Sequence, residues 1–162
     1  MKVNIKGTDY FIAKEEVDGI ECYYVFSTKK EPAGFLMYAK TYQTYSRQIF
    51  LSNIEVVPEF RYAGIGQFLL NILEQDALIS RFDSIEGKYF PSNEYARTFY
   101  DKNGYEIYKD GYETYVCKQI DLDAERDEKT VDLIHKLNES ISEDTSFRLS
   151  NRNFSSYSDR EF

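Results

Sequence analysis

The 162-residue chain has no tryptophan, three prolines, two cysteines and a single histidine. With only Cys22, Cys117 and His135 to offer, a cysteine–histidine zinc site is not expected, nor any other metal site. Neither cysteine belongs to a C-x-x-C pair, and both sit in strand-like runs, so they read as reduced core residues of a cytoplasmic protein. Long apolar runs are missing too. None approaches the roughly 18 residues that a membrane-spanning helix needs, and the alternating start "MKVNIKGTDYF" has no apolar block of the signal-peptide kind. No membrane association is expected. An excess of positive charge is also absent: the formal net charge is −8. That argues against non-specific nucleic-acid binding, which rests on a basic footprint. Residues 121–162 carry 11 acidic and 6 basic side chains, so −5 of the −8 lies in the last quarter of the chain, a pattern that usually marks a solvated face.

What is present is a chain long enough for one domain with a substantial core. Fifteen tyrosines suit half-buried strand surfaces. Residues 2–6 and 10–17 read as a hairpin or two short strands, followed by a turn at Asp18-Gly19. Residues 21–27 and 34–41 read as two more strands, and 47–57 as a long one stopped by Pro58, which cannot continue a central ladder. The period then changes. Ile65, Phe68, Leu69, Ile72 and Leu73 mark an amphipathic helix reaching about Arg81. A strand at 83–90 precedes a second helix, capped at Ser92 or Asn93 and closed at Gly104. A hairpin over 105–120 pivots near Asp110-Gly111. Val131, Ile134, Leu137 and Ile141 mark a third helix, within a segment of about 124–141, before a Ser-rich stretch at 142–162. A strand–helix–strand crossover inserted in a meander predicts an α+β fold with a mixed, mainly antiparallel sheet flanked by helices. The division expected is a domain over 1–120 and an acidic helix and tail over 121–162.

One stretch asks for a ligand. In "EVVPEFRYAGIGQFLL" a strand meets Pro58, then a turn with Arg61, Gly64 and Gly66 opens the first helix. Such a turn aims unpaired backbone N–H groups and a partial positive charge in one direction, which suits phosphate. Arg61 adds a fork of donors matched to phosphate oxygens. The loop is neither a Walker A, since no Gly-Lys-Ser/Thr follows, nor a dinucleotide fingerprint, since Leu69 fills the third glycine position. A tight turn with close helix packing is the equal alternative on the loop alone.

The segment Arg61-Tyr62-Ala63-Gly64-Ile65-Gly66 resembles the acyl-CoA loop of the GNAT superfamily of N-acetyltransferases, Arg/Gln-x-x-Gly-x-Gly/Ala. A second signature stands downstream: "SNEYARTFYDKNGY" is similar to that superfamily's Asn-x-x-Ala-x-x-x-Tyr-x-x-x-Gly-aromatic helix, with Asn93, Ala96, Tyr100, Gly104 and Tyr105 in register. The closing hairpin is similar as well, and the resemblance spans about residues 20–120. It implies an acetyl-CoA-dependent N-acetyltransferase acting by direct attack of an amine. The amides of Tyr62, Ala63, Gly64, Ile65 and Gly66 would hold the pyrophosphate. The strand edge at Val56 and Val57 would pair with the pantetheine arm, Asn93 would contact that arm, and Tyr100 would stand beside the sulfur. Lys102 or Arg97 is placed to reach the 3′-phosphate.

A tyrosine with a pKa near 10 can protonate a departing thiolate, so Tyr100 is the expected general acid, with simple packing as its alternative. The base is open. Glu55 and Glu86 are the carboxylates at hand, while Lys88 occupies the place where many relatives put a Glu. Alternation puts Glu55 on the opposite face from Phe50 unless a bulge intervenes. The resemblance also implies two helices before the second strand, for which this chain has no room. The front of the domain is therefore expected to be short of helices, its acceptor side either open or covered by the third helix or the Ser-rich end of this chain or a partner copy, with a peripheral helix covering one face of the sheet as the equal alternative for that segment. The acceptor is expected to be a small-molecule or peptide amine, mildly favoured to be cationic by the acidic surface, and a homodimer is possible. The alternative is a non-catalytic module of the same fold that binds CoA or a regulatory partner.

Overall fold

A computed structural model of the chain describes residues 1–42 and 46–141. Its strands are β1 (Lys2–Ile5), β2 (Thr8–Val17), β3 (Ile20–Ser27), β4 (Pro32–Tyr42), β5 (Arg47–Val56), β6 (Ser84–Lys88), β7 (Glu106–Asp110) and β8 (Glu113–Gln119). The helices are α1 (Ile65–Ile79), α2 (Glu94–Lys102) and α3 (Glu128–Ser140), with one 3-10 turn at Pro58–Phe60. The strands form one sheet in the order β1-β2-β3-β4-β5-β6-β8-β7. Every neighbouring pair is antiparallel except β5 and β6, joined through α1. This is the expected α+β architecture. The expected Ser-rich end, residues 142–162, lies outside the described residues.

The front of the molecule is a hairpin. β1 turns into β2 through Lys6 and Gly7, at φ +48° and +88°, and β2 turns into β3 through Asp18 and Gly19, at φ +51° and +80°. Two-residue turns with both φ values positive match the twist of the strands they join. The first twenty residues therefore extend the sheet, as their alternation suggests, and supply no helix.

One face of the sheet and all three helices share a core. Ile12, Tyr23, Leu36, Ile49 and Ile85 from the strands meet Ile65, Leu69, Ile72 and Leu73 of α1, Ala96 and Tyr100 of α2, and Ile134 and Leu137 of α3. The third helix is thus integral to the core. Asp127 caps it, accepting from Thr130 N, and the same carboxylate takes a 2.8 Å hydrogen bond from Asn71 of α1. Beneath it runs a polar network. The fully buried Lys14 donates to Glu21 at 3.0 Å and to Asn138 of α3, and Lys40 bridges Glu21 and Asp76, which also accepts from Tyr38. Pairing makes burial of these charges tolerable. Cys22, Tyr24 and Phe35 cluster on the other face.

Two local irregularities shape the centre. β5 and β6 pair only over Gln48–Leu51 and Ser84–Gly87. Beyond that rung β5 runs on to Val56 while β6 stops at Lys88, so the strands part and leave a wedge. In the same place the register between β4 and β5 shifts, Met37 facing Asn53 but Tyr38 facing Leu51. Ser52 is the extra residue of a β-bulge.

Candidate active site

The start of α1 leaves its first amides unengaged by the helix. The first helical hydrogen bond runs from Phe68 N to Gly64 O at 3.0 Å, so the N–H groups of Ile65, Gly66 and Gln67 precede the ladder. Gly64 forms the N-cap with φ +90°, in the left-handed region, and no side chain caps the helix. A β-carbon there would be strained by φ and would also collide with the stem of Lys6, 2.8 Å away. At Gly66 a β-carbon would press on Phe99 of α2 at 3.3 Å and Val56 at 3.5 Å. The two glycines thus keep the helix start open and let α2 approach it.

Two contiguous cavities meet here. One, of about 540 Å³, lies over the helix start and is walled by Lys6, Tyr62, Gly64, Ile65, Gln67 and Lys102. The other, of about 300 Å³, fills the wedge between β5 and β6, with Ser52, Asn53, Glu55, Lys88, Tyr89 and Tyr100 in its wall. Val56, Gly66, Tyr95 and Phe99 line both. The result is a cleft with donors at one end and aromatic and carboxylate groups at the other.

The residues singled out in the sequence fall into two groups. Glu55, Val56, Tyr62, Gly64, Ile65, Gly66, Tyr100 and Lys102 line the cleft. Val57, Arg61, Ala63, Asn93, Glu86 and Arg97 do not. Val57 donates its N–H to Ala33 O at 2.9 Å, within the link to β4. Arg61 folds back, its Nε 3.4 Å from Val56 O and its guanidinium 4.9 Å from the centre of the Tyr95 ring. Asn93 caps α2, its side-chain oxygen accepting from Ala96 N at 3.0 Å. Glu86 accepts from Gln48 at 2.8 Å. His135 is exposed on α3.

Glu55 reaches the cleft because of the bulge. Past Ser52 the alternation of β5 reverses, so Ile54 and Val56 face the helices and Glu55 shares the face of Phe50. It is only 5% exposed. Tyr100 is 7% exposed and packs among Tyr89, Phe99 and Tyr105, at ring separations of 6.4, 5.7 and 5.5 Å. Burial pushes its phenol above the ordinary value, so the hydroxyl stays protonated at any neutral pH. The cysteines offer no nucleophile here. Both are free, neither lines the cleft, and burial pushes the Cys22 thiol up to about 11. Among the described residues no group of three or more His, Cys, Asp or Glu side chains is arranged to hold a metal, and no helix is long and apolar enough to cross a membrane.

Sequence reasoning missed Lys6, Tyr95 and Phe99. The first lies on a hairpin remote in sequence from the loop. The other two were legible only as members of the second helix, and a contact across helices has no periodic signal.

The family profile described as the acetyltransferase (GNAT) family matches residues 3–105 of the chain. Among solved structures, a GNAT-family acetyltransferase from Listeria monocytogenes is 11% identical, with a TM-score of 0.56 over 74% of this chain and 100% of that one. A GNAT-family acetyltransferase from Staphylococcus aureus is 16% identical, with a TM-score of 0.57 over 64% of this chain and 69% of that one. The PaiA N-acetyltransferase from Thermoplasma acidophilum, solved in complex with coenzyme A, is 20% identical, with a TM-score of 0.54 over 62% of this chain and 61% of that one. At these identities the likeness is one of fold. No curated protein matches the sequence.

Proposed function

Because the chain belongs to the acetyltransferase (GNAT) family, we propose that it is an acetyl-CoA-dependent N-acetyltransferase. It moves an acetyl group to a primary amine by direct attack. One observation carries this reading: the continuous cleft from the open start of α1 to the wedge between β5 and β6, with Tyr100 and Glu55 at its inner end. Donors at one end and aromatic and carboxylate groups at the other suit a molecule with phosphates at one end and a thioester at the other.

The residues fit such a donor. The free amides of Ile65, Gly66 and Gln67 suit a pyrophosphate, helped by the helix dipole. Tyr62, Gly64 and Lys102 stand around the same end. β5 pairs with β4 as far as Val56 but with β6 only to Leu51, so the edge from Ser52 to Val56 faces the wedge. A pantetheine arm can pair with that edge as a short strand does. At the inner end the amine lone pair attacks the acetyl carbon, and the carbon–sulfur bond breaks. Glu55 takes the proton that the amine loses. The Tyr100 hydroxyl donates to the departing sulfur. A phenol held above its usual pKa is a weak acid, but the same dry surroundings raise the basicity of the thiolate it faces.

The test is the melting temperature of the purified protein against rising acetyl-CoA. A ligand at about 100 times its dissociation constant adds roughly 2.7 kcal/mol to native stability, enough to raise the melting point by several degrees. No shift at millimolar ligand would remove the reading. A shift with no transfer to any amine would favour a module of the same fold that binds without catalysing.

A further inference from the structure

We propose that Lys6 binds the pyrophosphate of the acyl-CoA, delivered to the α1 start by the β1–β2 turn. The inference rests on the reading of the cleft as a coenzyme A site and adds a residue that lies outside the loop itself.

Three observations converge on it. The first is placement. The Lys6 stem crosses the glycine that opens α1, so a β-carbon on Gly64 would lie 2.8 Å from Lys6 Cδ and 2.9 Å from Cε. Lys6 also lines the cavity over the start of α1. The second is charge. Among the described residues Lys6 forms no salt bridge, a state it shares with Lys29, Lys30, Lys102, Lys109, Lys129 and Lys136, so its charge is available to a ligand. Lys102 lines the same cavity, against one carboxylate, Glu94. In a protein of net charge −8, a polyanionic ligand needs local cations to be held.

The third is turn chemistry. Lys6 occupies the first position of a turn with both φ values positive, at +48°. That position favours Asn, Asp or Gly, and a long side chain is disfavoured there. The next turn follows the rule with Asp18. The first turn departs from it, and the departure is the residue lying on Gly64. Local strain kept at a ligand-facing position is a recurring mark of function.

The turn supplies its own test. Lys6→Asn gives the Asn-Gly sequence that this geometry prefers, so the hairpin keeps or gains stability while the cation is lost. Binding of CoA, dephospho-CoA and pantetheine is measured by calorimetry for wild type, Lys6→Asn and Lys6→Arg. Lys6→Asn should weaken CoA and dephospho-CoA by about tenfold each, the scale of one charge-assisted hydrogen bond. Pantetheine binding and melting temperature should not fall, and Lys6→Arg should restore most of the affinity. Unchanged CoA affinity in Lys6→Asn overturns the assignment. So does a loss confined to CoA, which would place Lys6 on the 3′-phosphate, or an equal loss for pantetheine, which would mean a distorted cleft. If wild type binds no CoA at all, the coenzyme A reading itself fails. An unaffected variant beside a binding wild type refutes only the role of Lys6.

Discussion

Tyr100 and Glu55 line the same small chamber, and the proposed mechanism asks opposite things of them, one to hold a proton and the other to accept one. The aromatic surroundings of Tyr100 serve the first need by raising its pKa above the usual 10.0. Removing the hydroxyl with Tyr100→Phe should preserve acetyl-CoA affinity and lower turnover by about tenfold or more, the low end of general-acid contributions. Unchanged turnover would leave Tyr100 as a packing residue. The sign of the shift also sets a pH expectation. A phenol raised on burial stays protonated as pH climbs, so turnover should show no alkaline loss from this group below about pH 10. For Glu55→Gln, turnover at neutral pH should fall by about tenfold or more. The deficit should shrink as pH approaches the amine's own pKa, near 10.4 for a lysine-like acceptor, because the free amine then forms without help. A deficit independent of pH would mean that Glu55 positions the acceptor or holds the fold instead. Tyr100 was legible in the sequence because its helix carries a full signature. Glu55 was a candidate from the sequence, but its orientation was not legible, since it depends on the bulge at Ser52, and a bulge is set by register with β4 rather than by the local pattern.

At the scale of elements, the cleft is made by where pairing stops. β5 and β6 separate after the rung of Leu51 and Gly87, and α1 begins beside the gap with its amides exposed. The expected strands and helices emerged from periodicity, and Pro58, Gly64 and Gly104 punctuate them as anticipated. Asn93 was read both as a helix cap and as a cofactor contact, and its side-chain oxygen is engaged as the cap. The apolar face of α3 was legible, but where it docks was not, because that is fixed by contacts between distant segments, such as Asp127 with Asn71 and Lys14 with Asn138. Asp127→Ala removes both the cap and the tie to α1, and should cost about 1 kcal/mol in urea unfolding at neutral pH. Hydrogen bonds from Thr130 and Asn71 lower the Asp127 pKa. Its contribution is therefore present above the unfolded carboxyl value and lost as pH falls through the lower folded value. The gap between wild type and Asp127→Ala should close in acid. A gap that persists at low pH would mean that packing, not the carboxylate, holds the helix end.

At the scale of the whole molecule, the chain builds its domain with a hairpin in front and α3 packed into the shared core. The hairpin brings Lys6 to the cleft, and α3 reaches the buried Lys14 through Asn138. The strand-like alternation of residues 2–6 and 10–17 already pointed to strands rather than helices at the front of the domain. On the proposed reading, the net charge of −8 would favour a cationic acceptor through long-range attraction, and amine-dependent transfer is what the reading stands on. The most direct measurement is the release of free CoA thiol from acetyl-CoA by the purified protein, with and without a panel of primary amines that includes polyamines, amino-sugars and lysine peptides. An N-acetyltransferase will release thiol only when an amine is present, with an equal amount of N-acetylated product found by mass spectrometry. Acetyl-CoA binding without amine-dependent thiol release across the panel would contradict the proposal.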